Sequence, residues 1–70
     1  MRKLSCYEVV GLSVSEIISE FNERADGLGV TEGNLVSVSA MAPTRPMKIL
    51  DGGKTKEATV QVAIVYWSDR

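Results

Sequence analysis

Residues 58–67, ATVQVAIVYW, constrain the fold of this chain more than any other stretch. Successive side chains of a β-strand point to opposite faces, so Ala58, Val60, Val62, Ile64 and Tyr66 share one side. Thr59, Gln61, Ala63, Val65 and Trp67 share the other. The first set is an ordinary core face. The second begins polar and ends in Val65 and Trp67, yet only one convincing helix exists to cover a sheet. One sheet face is therefore left without an internal cover, and the expected cover is a second copy of the chain.

Length sharpens that expectation. Seventy residues allow one domain, spanning 1–70, and a chain of this size buries only about 60% of its unfolded surface. One cysteine, Cys6, cannot close an internal disulfide, and without histidine a typical zinc site is excluded. Oligomerisation is the remaining staple. Eight basic and nine acidic residues give a net charge of −1, so no broad attraction to nucleic acid or anionic membrane is expected. The opening MRKLSCYEVVG has no apolar signal-peptide core, and no run approaches the roughly 20 residues of a transmembrane helix. The expectation is a soluble cytoplasmic protein, with Cys6 suited to a reducing compartment.

Along the chain, residues 4–10 form a first strand in which Leu4, Cys6 and Val10 share a face with Glu8, so an edge position or a fray near Glu8 is expected. Residues 13–25 carry the clearest helix signal. Ser13 and Glu16 make an S-x-x-E capping box, and Leu12 with Ile17 occupy the hydrophobic-staple positions. Val14, Ile17, Ile18, Phe21, Ala25 and Leu28 form one apolar stripe. Glu16, Glu20, Glu23 and Asp26 lie on an acidic outer face, and Gly27 or Gly29 ends the helix. Residues 34–42 alternate again: Val36, Val38, Ala40 and Ala42 should face the helix, while Leu35, Ser37, Ser39 and Met41 face outward.

Pro43 and Pro46 then interrupt the ladder. Gly52-Gly53 is a two-residue hairpin turn, which pairs Asp51 with Lys54, Leu50 with Thr55, Ile49 with Lys56, Lys48 with Glu57 and Met47 with Ala58. In that register an even residue always meets an odd one, whereas the core faces of the flanking strands are both even. Opposite residues share a face, so an odd insertion is required, and it is expected between Ala42 and Pro46. The predicted fold is α+β: a βαββ unit with a three-stranded antiparallel sheet, one helix on one face, and a long hairpin arm between the last two strands.

The chemistry-bearing residues are few. Asp51-Gly52-Gly53-Lys54 leads into a strand, unlike a phosphate-binding loop, which opens a helix. Gly27, Gly29 and Gly33 have the wrong spacing for a dinucleotide fingerprint. Cys6 has no histidine to activate it, and the helix glutamates form no acid–base pair. No catalytic residue, metal ligand or cofactor is assigned. Arg45, Lys48, Lys54 and Lys56 make the arm basic, and together with Trp67 they are the candidates for holding an anionic small molecule. Leu35, Ser37, Ser39, Met41, Gln61, Val65 and Trp67 are the candidate self-association surface, with Trp67 as its anchor.

In strand–helix–hairpin order over residues 4–67, the chain resembles the dodecins, small βαββ proteins that assemble into hollow shells and sequester flavin. The likeness is closest in VVGLSVSEI (9–17) and DGGKTKEATVQVAI (51–64). It implies a homo-oligomer holding a flavin, nucleotide or other anionic ligand between subunits. Ser37 stands where dodecins carry the flavin-stacking tryptophan, and Glu57 stands in place of their flavin-edge glutamine. The proline-broken segment 43–46 is a further departure. The order and the ending AIVYW also resemble small sporulation-associated and phage-encoded proteins of unknown role. The expected function is a non-catalytic homo-oligomeric module, with dodecin-like sequestration as the alternative.

Overall fold

The computed structural model describes residues 1–69. The elements run β1 (Lys3–Gly11), α1 (Val14–Leu28), β2 (Leu35–Met41), β3 (Lys48–Asp51), β4 (Lys54–Glu57) and β5 (Val60–Ser68). Strand, helix, strand, hairpin, strand is the expected order, and the class is α+β. The strand count is not: five strands form two sheets, one ordered β1-β5-β2 and a separate β3-β4 pair. The hairpin arm is thus its own two-stranded sheet rather than an extension of the last two strands. Neither Pro43 nor Pro46 can donate to a ladder, so the chain leaves the main sheet after Met41 and pairs again from Met47, whose carbonyl accepts the Ala58 N–H at 2.8 Å, and Lys48.

β5 is the central strand, antiparallel to both neighbours. β1 and β2 therefore run parallel to each other with β5 between them, and α1 is the crossover that joins them. β1 occupies an edge, as the Glu8 irregularity suggested, and its pairing with β5 is unbroken from Lys3↔Ser68 to Gly11↔Val60.

The helix begins where its signals place it. Ser13 is extended at φ −152°, and its Oγ accepts the Glu16 N–H at 3.2 Å. At the other end, Gly29 adopts φ +75° as the left-handed cap. Its N–H donates to the Asp26 carbonyl at 3.2 Å, and the Val30 N–H donates to Ala25 at 2.9 Å. These two bonds are the Schellman closure, and Val30 is buried, supplying the apolar contact that accompanies it. Of the two glycines expected to end the helix it is Gly29 that does so; Gly27 lies inside, and the helix runs two residues past Asp26.

Ile17 and Phe21 bury against Val62, Ile64 and Tyr66, with Val30 closing the end. Tyr7 adds a tilted ring contact to Phe21, centroids 5.9 Å apart. Gly11 lies under the helix start: a Cβ there would stand 2.8 Å from the Ile17 side chain. The glycine lets β1 pass close beneath the helix.

The helix packs on β1 and β5. A helix is about 10 Å wide and strands are about 4.8 Å apart, so one helix spans two strands and not three. All seven residues of β2 are consequently exposed. Val36, Val38, Ala40 and Ala42 were expected to bury against the helix; Ala42 falls beyond the end of β2 and is exposed as well. Val38 and Ala40 do lie on the helix side, opposite Ile64 and Val62, but the helix does not cover them.

The hairpin register is as derived, from Lys48↔Glu57 to Asp51↔Lys54. Gly52 and Gly53 both have positive φ, 60° and 80°, the requirement of the turn type that matches strand twist. Between this ladder and the Met41↔Gln61 pair, six residues intervene on one side and three on the other. The difference is odd, as the parity argument demands.

Candidate self-association surface

The face of the main sheet away from α1 follows from the register. Val62 and Ile64 are wholly buried under the helix, so Gln61, Ala63, Val65 and Trp67 point to the other side. Their partners across β1 are Val10, Glu8, Cys6 and Leu4 in that order. Across β2, Met41 lies opposite Gln61, Ser39 opposite Ala63 and Ser37 opposite Val65. Leu4 and Trp67 are adjacent and exposed at one end, 58% and 42%, and Met41 is exposed at the other. The β1 contribution of Leu4, Cys6 and Val10 was absent from the expected surface. The signal was present, since Tyr7 and Val9 claim the core face and send the even residues outward.

Two expected members of this surface sit differently. A register shift between Leu35 and Ser37 puts Leu35 opposite Tyr66, not Trp67. The extra residue, Val36, is a bulge that ends the strict alternation. Gln61 points outward but is buried by its own chain. Its Oε1 accepts the Thr44 N–H at 3.2 Å and the Thr44 hydroxyl at 3.3 Å, and its Nε2 donates to Glu8 Oε2 at 3.3 Å. Gln61 thus ties the proline-containing connection to the sheet.

Glu8 is the sole charge among these outward strand residues. Both of its oxygens are engaged, Oε2 by Gln61 and Oε1 by the Cys6 thiol at 3.8 Å. Desolvation at the sheet surface, then the Glu8 charge and hydrogen bond, push the Cys6 thiol above its ordinary pKa. A bond with the Ile64 backbone opposes this in part. Cys6 is exposed but tuned away from nucleophilicity.

Asn34 holds the Trp67 end together, a role that periodicity does not reveal. Its Nδ2 donates to the Gly29 and Trp67 carbonyls, both at 2.7 Å. Its Oδ1 accepts the Thr31 N–H at 2.6 Å and the Thr31 hydroxyl at 3.2 Å. Its own carbonyl accepts the Trp67 N–H at 2.8 Å. Asn34→Asp removes both donors and turns a carboxylate toward two carbonyl oxygens, a cost of about 2–3 kcal/mol. The expected result is a thermal midpoint lowered by about 10 °C or more, with a smaller loss for Asn34→Ala. Circular dichroism melts of the two variants check it, and equal small losses would argue against these bonds in solution.

The basic candidates do not converge with Trp67 in one chain. Arg45 lines a groove of about 340 Å³ with Glu8, Val10, Thr44, Met47 and Gln61. Trp67 lies six residues further along β5, about 20 Å away. Lys48 faces Glu57 and Lys54 faces Asp51 in the hairpin ladder. Lys56 Nζ reaches Asp51 Oδ2 at 3.1 Å, half exposed, so the pair contributes little. Three of the four basic side chains thus have acidic neighbours. Among the described residues, no cluster of histidine, cysteine and carboxylate side chains could hold a metal ion, and no helix is long and apolar enough to cross a membrane.

The chain matches no family model, no curated protein and no solved structure.

Proposed function

We propose that this protein is a non-catalytic, cytoplasmic homo-oligomeric module that uses the helix-free face of its main sheet to bind further copies of itself. The observation that carries this reading is the pairing of Leu4 with Trp67 and of Cys6 with Val65 at the end of the helix-free face away from the Thr44–Gln61 contact, where Leu4 and Trp67 stand exposed. A sheet buries one face under α1 and leaves this one to solvent in the single chain. The total surface supports the same reading. The chain exposes 5133 Å², whereas a compact monomer of 7.6 kDa exposes about 4,300 Å². The excess of about 800 Å² belongs to the whole chain, the exposed β3-β4 arm included, and is of the size that one partner contributes to a standard specific interface.

Native mass spectrometry of freshly purified protein tests the reading, because subunit number and retained ligand are read together. A defined oligomer of bare chains is the expected outcome. A fixed added mass per subunit or per interface would instead favour sequestration of a small anionic molecule, with Arg45 and Trp67 supplied by different copies. A monomer at micromolar concentration would overturn the assembly reading.

A further inference from the structure

The main sheet has two edges, and they are not alike. β1 carries Lys3 and Glu8, the kind of charge that keeps an edge from pairing with other chains. β2 carries none, and residues 34–42 contain neither charge nor proline. Over Ser37–Met41 this strand is paired on one side only, to β5, so its other side is an open row of backbone donors and acceptors. Both its faces are also clear, because α1 lies over β1 and β5. A strand laid alongside β2 meets no layer above or below it.

We propose that β2 pairs antiparallel with β2 of a second copy about a two-fold axis, joining two three-stranded sheets into one of six. This specifies how copies meet and rests on the self-association reading above. The Val36 bulge confines the pairing to Ser37–Met41. Self-pairing of an uncharged strand places no like charges opposite each other. The antiparallel sense sets the end flanked by Glu32 beside the end flanked by Arg45, whereas a parallel sense would set like beside like. A two-fold contact is also self-complementary and closes, leaving the charged β1 strands as the two outer edges. Val38 and Ala40 of each copy then share the helix-side floor, and the outward faces merge into one.

Amide hydrogen exchange on the unmodified protein tests the pairing, read at an assembling concentration and again after dilution below dissociation. Within residues 37–41, the amides directed away from β5 should exchange about 100-fold more slowly in the assembly than after dilution. An oligomer in which those amides exchange as fast undiluted as diluted would overturn the β2 pairing while leaving self-association through the sheet face. A protein that is monomeric throughout, with these amides unprotected, would overturn both. Val38→Lys, which sets two charges close across the two-fold, should reduce the assembled fraction while Ser37–Val65 pairing persists. If that variant fails to fold, exchange in the unmodified protein still decides the matter.

Discussion

Ile64→Ala is expected to lower the thermal midpoint by about 15 °C or more. Ile64 is wholly buried at the centre of the central strand, flanked by Tyr7 on β1 and Val38 on β2. Truncating such a side chain removes its transfer free energy and leaves a cavity, together about 2–5 kcal/mol. A 70-residue domain has about 4–10 kcal/mol of stability in total, and each kcal/mol moves the midpoint of a domain this size by about 4–8 °C. The cavity cannot collapse easily, because strands on both sides hold β5 in register and Ile17 and Phe21 come from a helix capped at both ends. Melts at several concentrations separate this loss from changes in association. A shift below about 5 °C would mean that Ile64 is not packed as described.

Val65→Asp should act one residue away and in a different manner. Val65 points to the opposite face, beside Cys6 and Ser37, so a carboxylate there can reach water in a single chain. In an assembly that covers this face the same carboxylate is buried without a partner, and the Glu8 charge lies diagonally across the ladder. An unpaired charge at an interface costs about 3 kcal/mol or more, which is a hundredfold or greater weakening of association. Light scattering coupled to size exclusion should show a loss of mass, and circular dichroism should show the sheet retained. An unchanged oligomer would exclude this face as the contact, whatever the edges do. Comparing Val65→Asp with Val38→Lys separates face from edge, since the two residues lie on different strands and opposite sides.

Local rules carried much of the fold because the local chemistry is unambiguous. Ser13 and Glu16 define a helix start by hydrogen-bond bookkeeping alone. Gly52-Gly53 sets a turn of two residues, and from it every pair of the β3-β4 ladder follows. Parity then required an odd insertion before the last strand, which the connection between Met41 and Lys48 supplies. What escaped the sequence was lateral order. Alternation in β2 says which residues share a side but not whether a helix lies above them, so Val38 and Ala40 read as core and are exposed. Bulges are equally silent: nothing in Asn34-Leu35-Val36-Ser37 marks Val36 as the unpaired residue. Gln61 and Asn34 were hidden for another reason. A polar side chain inside an otherwise ordinary pattern looks solvated until the carbonyls and hydroxyls that complete it are brought close by distant parts of the chain. The outward face was legible in part, from Val65 and Trp67, while its β1 half needed the register.

The central position of β5 also sets the order in which this protein can be built. Both sheet ladders use β5, and Lys3 must find Ser68 across nearly the whole chain. α1 can flicker into existence within about a microsecond, but β1 and β2 have no partner in the sheet until the final strand arrives. The contacts that define the sheet are almost all distant in sequence, and topologies of that kind fold in milliseconds to seconds rather than microseconds. During synthesis, two unpaired strands therefore wait for the last one to emerge. Of the two, β2 carries no charge to discourage mispairing, so the edge proposed to join finished copies is also the one that the nascent chain leaves least protected.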